Sequence, residues 1–163
     1  PDYQRSIGLL QKRNTTSTLP SWTINIYDDH GARFMEIEGD SSGIYVASEN
    51  ALCPGWNKIE KRNLNSGGVI WSKNTWEITS LAIDNSGVYI GGENEGGCTG
   101  PGYDPWRIEK RDKNTGSLIK EKTLKLHYPT REMYISNDAI FIIGNYHVGG
   151  GNWASIIEKI TKP

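Results

Sequence analysis

The chain repeats itself every 49 residues, and that period constrains the fold more than any local propensity does. Leu10-Gln11-Lys12-Arg13, Ile59-Glu60-Lys61-Arg62, Ile108-Glu109-Lys110-Arg111 and Ile157-Glu158-Lys159-Ile160 start at 10, 59, 108 and 157. Upstream, Ser42-Gly43-Ile44-Tyr45-Val46 recurs as Ser86-Gly87-Val88-Tyr89-Ile90, and more loosely as Asp138-Ala139-Ile140-Phe141-Ile142. Downstream, Trp22 and Trp71 are again 49 apart, and the third copy has Lys120 there.

One unit reads as four short strands. In the copy from 33 to 73, the spacing predicts strand A near 33–38, then a turn at Asp40-Ser41-Ser42-Gly43, then an apolar, β-branched strand B near 44–48. A connection through Cys53-Pro54-Gly55 leads to strand C near 56–63, and Asn65-Ser66-Gly67 turns the chain into strand D near 69–73. The Glu-Lys-Arg runs of strand C read as the alternating charges of an outer strand that blocks edge pairing. No window combines helical spacing with capping residues. The 19 Gly, 8 Tyr and 6 Trp agree with strands joined by tight turns.

A small four-stranded sheet cannot bury both its faces alone, so repeated sheets of about 45–50 residues stack as blades. The expected fold is all-β, an incomplete β-propeller of about three four-stranded antiparallel blades with split blades at both termini. The expected division is a partial blade at 1–29, blades at 30–74 and 75–127, and a partial blade at 128–163, all in one domain. Closed propellers have roughly four to eight blades, so this piece calls for closure by further sequence, by a second copy, or within a larger assembly.

The C–D turn resembles the PQQ-like (quinoprotein-type) propeller repeat, whose pattern runs Asp-x-x-Thr-Gly-x-x-x-Trp. It is met as Asn63-Leu64-Asn65-Ser66-Gly67-Gly68-Val69-Ile70-Trp71 and as Asp112-Lys113-Asn114-Thr115-Gly116-Ser117-Leu118-Ile119-Lys120, with an eroded copy keeping Asn14 and Trp22. The resemblance implies that Trp22 and Trp71 dock adjacent blades, and that Lys120 weakens one such contact. It implies nothing definite about activity, since propellers host unrelated functions. The long quinoprotein dehydrogenases of this class carry adjacent cysteines at their cofactor, and this chain has none.

The functional reading rests on the loops. In a propeller the B–C and D–A connections emerge on one face, where rigid scaffolds usually carry binding groups. The expected B–C loops span 49–55, 93–105 and 145–152, and together the two sets hold Asp28, Asp29, His30, Glu49, Glu93, His127 and His147 as a candidate ligand face. Asp28, Asp29, His30, Glu49 and Glu93 admit a weak calcium site, but no zinc-type or EF-hand spacing exists and no cofactor is expected. Cys53 and Cys98 stand at equivalent loop positions and could form a disulfide or remain two thiols. Trp56, Trp106 and Trp153 recur before strand C, either as an aromatic rim or as packing between blades.

With 18 basic and 19 acidic residues the chain gathers no nucleic acid, and its longest apolar run, 139–143, is too short to span a bilayer. It has no Gly-x-Ser-x-Gly elbow, Walker loop or dinucleotide fingerprint. The expected function is a non-catalytic binding or scaffold module that takes protein or glycan on its loop face, or self-associates to complete the propeller. The alternative is a fragment or subunit of a propeller enzyme, a quinoprotein-like dehydrogenase or a hydrolase. An extracellular or periplasmic setting is the expectation, although the two cysteines do not fix it.

Overall fold

The computed structural model describes residues 7–16, 18–27, 33–49, 57–76, 78–93, 106–124, 130–150 and 152–162. Among them are thirteen strands and no helix, arranged as four antiparallel sheets in chain order. The first sheet holds β1 (Ile7–Arg13) and β2 (Pro20–Tyr27). The second is β3 (Arg33–Asp40), β4 (Gly43–Glu49), β5 (Asn57–Arg62) and β6 (Val69–Thr75). The third is β7 (Ser80–Asp84), β8 (Gly87–Glu93), β9 (Trp106–Arg111) and β10 (Leu118–Thr123). The fourth is β11 (Thr130–Ile135), β12 (Ala139–Gly149) and β13 (Asn152–Thr161).

Turn chemistry explains the boundaries. Between β3 and β4 the Asp40 carboxylate accepts from the Ser42 N–H (2.8 Å) and Oγ–H (2.7 Å), and Asp84 does the same for Ser86 between β7 and β8. These are Asx turns, a local alternative to ladder bonding that ends the strand. Between β9 and β10, Asp112 Oδ1 accepts from the Asn114 and Thr115 N–H groups, and Gly116 closes the turn at φ +70. Asn63 and Gly67 repeat that turn between β5 and β6. Only glycine adopts this left-handed conformation without strain.

Adjacent sheets bury each other's faces. Tyr45, Ala47, Ile59 and Trp71 of the second sheet meet Leu81, Val88 and Ile90 of the third, with Ile78 beside them. Tyr89, Trp106 and Ile108 of the third meet Ile140, Ile142 and Ile160 of the fourth, with Leu124 alongside. Trp106, fully buried, is therefore packing and not rim. The first strands of successive sheets also touch, β3 against β7 and β7 against β11, while every residue of β10 is exposed. The sheets thus fan out from their A strands.

Two expectations from the sequence need correction. Strand C is not an outer strand: β5 lies between β4 and β6, and β9 between β8 and β10. Its charges are buried because they neutralise each other at i and i+2 on one face, Arg62 on Glu60 at 2.5 Å and Arg111 on Glu109 at 2.7 Å. Each arginine also donates to the glycine carbonyl of its own turn, Gly67 or Gly116, both at 3.0 Å. Nor is 145–152 a loop. β12 and β13 stay paired out to Gly149 and Asn152, with His147 opposite Trp153, and Gly150 at φ +59 makes the tip tight.

Candidate interaction surface

Let the front of a sheet be the face turned to the following sheet, and the rear the face turned to the preceding one. Residues paired across an antiparallel ladder share a face, so register assigns them. On the second and third sheets the front carries Tyr45 with Ile59 and Tyr89 with Ile108. On the fourth sheet the matching positions are Phe141 and Ile157. Ile143 pairs with Ile157 and Tyr134 with Phe141, so all four belong to that front.

The burial of equivalent positions then separates sharply. Ile59 and Ile108 are 0% exposed, whereas Ile157 is 69% exposed. Tyr134 is exposed to the same extent, and Ile143 is also exposed. Exposed large apolar residues clustered on one sheet face mark an interaction surface more than scattered ones do. The rings of Tyr134 and Phe141 lie 6.3 Å apart, and the Lys159 ammonium sits 5.7 Å from the Phe141 centroid. Lys61 over Tyr45 (5.4 Å) and Lys110 over Tyr89 (5.5 Å) repeat that cation–π contact. The fourth sheet therefore keeps the packing chemistry of a front that is buried elsewhere.

The boundaries between sheets are held by a recurrent set of contacts. Trp22 Nε1 donates to the Leu64 carbonyl at 3.2 Å, and Trp71 Nε1 to the Lys113 carbonyl at 3.1 Å. Lys12 and Lys61 donate to the same two carbonyls, at 2.9 and 3.0 Å. The turn glycine lies flat on the indole: a Cβ at Gly116 would stand 2.7 Å from Trp71 Cε3, and one at Gly67 3.0 Å from Trp22. Lys120, at the matching position of β10, is exposed.

A second contact links each A–B turn to the residues that follow strand C of the next sheet. Lys113 reaches back to the Asp40 carboxylate, and Lys162 to Asp84 at 2.5 Å. Burial alone would raise the Asp40 carboxyl, but the Lys113 ammonium and the Ser42 donors outweigh it and hold it at about 2. Asp84 is likewise lowered, with Lys162 and Ser86 overcoming its burial. These pairs join residues 73 and 78 positions apart. Asp40 with Asp84 and Lys113 with Lys162 recur in the sequence, but nothing short of the folded register tells that they meet.

A groove of about 310 Å³ runs beside the A strands, with Glu36, Glu38 and Glu132 on its wall and Leu81, Met133 and Tyr134 beside them. Burial, then the Glu38 and Glu132 carboxylates, pushes the Glu36 carboxyl up. Of the candidate loop-face residues, Asp28, Asp29, His30 and His127 lie outside the described residues, as do Cys53 and Cys98. Glu49 and Glu93 end β4 and β8, paired with Arg33 and Trp106, and His147 lies within β12; their side chains are outside the description. Among the described residues no group of three His, Cys, Asp or Glu could hold a metal.

Four-stranded antiparallel sheets packed front to rear, A strands together, define the β-propeller class. BamB from Moraxella catarrhalis, a β-propeller protein, is similar in structure: TM-score 0.52 at 17% identity, over 85% of this chain and 44% of BamB. The chain thus spans less than half the length of that structure. No protein family matches the sequence, and no curated protein does.

Proposed function

We propose that this chain is a non-catalytic, propeller-type scaffold that works by docking protein on the open front of its fourth sheet. The observation that carries this is the contrast at one repeat position: Ile59 and Ile108 are buried by the next sheet, and Ile157 stands open. The patch is apolar at its centre, with Lys159 and Glu132 around it, which suits a protein surface more than a small polar ligand. The absence of nucleophile elbows and nucleotide loops from the sequence agrees with a role without catalysis.

Two finer readings go with it. The repeat belongs to the PQQ-like type, on the strength of the C–D turn and its tryptophan. The B–C and D–A loops form a second face for protein or glycan. Tyr134→Glu combined with Ile157→Glu tests the main reading. Both residues are exposed, so stability should stay within the ~0.5 kcal/mol of ordinary surface changes. Any association of the chain, with itself or with protein of its source, should weaken at least about tenfold, the effect of losing buried aromatic and aliphatic anchors. Association that survives both charges would contradict the reading.

A further inference from the structure

The turn that joins β1 to β2 carries Asn14-Thr15-Thr16, the Asn-x-Thr triplet that accepts N-linked sugar when its middle residue is not proline. The triplet occurs once in the chain, on a turn that the repeat places in each copy. Asn63-Leu64-Asn65 and Asp112-Lys113-Asn114 stand at the same positions. There the first residue closes the turn. Asn63 Oδ1 accepts from the Asn65 and Ser66 N–H groups, and Asp112 Oδ1 from those of Asn114 and Thr115. The third residue is Asn65 or Asn114, so the turn asks for no hydroxyl at that place. Of these three turns, only the first has one, on Thr16.

Both chemically important groups of the triplet are free. Asn14, Thr15 and Thr16 are all exposed. Asn14 Oδ1 lies 3.5 Å from the Thr16 nitrogen, a long form of the bond that shapes the other two turns. That contact engages the carboxamide oxygen and a backbone N–H. Among the described residues, Asn14 Nδ2 and Thr16 Oγ1 have no hydrogen-bond partner.

This exposure belongs to the turn and does not depend on what precedes the first sheet. Asn63 and Asn65 sit on a turn packed against a preceding sheet, where Lys12 and Trp22 donate to the Leu64 carbonyl, and both stay exposed. In the next turn, which receives Lys61 and Trp71, Asn114 is exposed and Asp112 half-buried. A preceding sheet leans on the middle residue: Leu64 and Lys113 are half-buried, and Thr15 is their counterpart. Strand direction alternates, so these turns lie at the end of the sheets opposite to the B–C connections. Sugar attached there leaves the loop face clear.

We propose that Asn14 is a site of N-linked glycosylation. The co-reactant is an oligosaccharide carried on a lipid diphosphate. Asn14 Nδ2 bonds to the anomeric carbon of the sugar, and the bond from that carbon to the diphosphate oxygen breaks. The lipid diphosphate leaves with the electron pair, and a base of the transferase takes one amide proton. The Thr16 hydroxyl is the group that marks Asn14 as the acceptor.

Mass spectrometry of the chain isolated from its source tests this on one tryptic peptide, 14–33, released by cleavage after Arg13 and after Arg33. The peptide should carry added saccharide mass, with fragment ions placing it on Asn14. Asn14→Gln and Thr16→Ala, made in the same source, should lose that mass, and Thr16→Ser should keep it. Both positions are exposed, and circular dichroism with a melting curve checks that each variant folds as the parent does. Should Asn14→Gln fail to fold, the comparison of Thr16→Ala with Thr16→Ser decides alone. A peptide found only unmodified would overturn the proposal. So would saccharide that survives Thr16→Ala, or that sits on a hydroxyl of the peptide and not on Asn14.

Discussion

Trp71→Ala should lower the stability of the chain by about 3–5 kcal/mol, the range for a buried tryptophan removed from a core that cannot collapse around the loss. The side chain is 8% exposed and belongs to the cluster between the second and third sheets. It has three partners of different kinds. Its ring lies 6.0 Å from that of Tyr45 at a tilt of 53°. Its Nε1 donates to the Lys113 carbonyl, and Gly116 lies against the indole ring. Neither side can move in to fill the space. Tyr45 is tied through its hydroxyl to Ser42, and the Gly116 turn is fixed by the Asp112 hydrogen bonds and a positive φ. Urea unfolding monitored by fluorescence and circular dichroism would measure it, and a loss under about 1 kcal/mol would mean that the indole is not buried between sheets.

Glu109→Ala should be of similar size, about 3–5 kcal/mol, for an electrostatic reason. Glu109 is 1% exposed, and its Oε2 accepts from Arg111 at 2.7 Å while Arg111 also donates to the Gly116 carbonyl. Removing the carboxylate leaves a guanidinium held in the interface with one neutral acceptor. Replacing both residues by leucine removes the stranded charge as well, so the double variant should recover most of the loss. Equal losses in single and double variants would locate the effect in packing and not in the charge.

The period of 49 made the strands, their turns and the stacking of sheets legible, because each copy checks the others. The turn from Asp112 to Gly116 is an example: a side-chain acceptor followed by a glycine in the left-handed region admits few alternatives. Burial of strand C was not legible in the same way. Glu60 and Arg62 look like solvent-facing charges until the ladder puts both on one side, two residues apart, where they satisfy each other. His147 was misplaced because a glycine-rich run reads equally as a long loop or as the tip of a tight hairpin, and only the pairing of Tyr146 with Ala154 decides.

The open front was hidden for a deeper reason. Ile59, Ile108 and Ile157 are the same residue at the same repeat position, and nothing local distinguishes them. What differs is whether another of the described sheets packs over the position, a property of the whole stack. The ion pairs of Asp40 and Asp84 with lysines far along the chain belong to the same category.

The comparison of Ile108→Ala with Ile157→Ala, by urea unfolding of dilute chain, tests the stacking of sheets most directly. Ile108 is fully buried beneath the fourth sheet, so its truncation should cost about 2–5 kcal/mol, whereas the exposed Ile157 should cost no more than about 0.5 kcal/mol. Losses of equal size at the two positions would contradict sheets that bury one another front to rear.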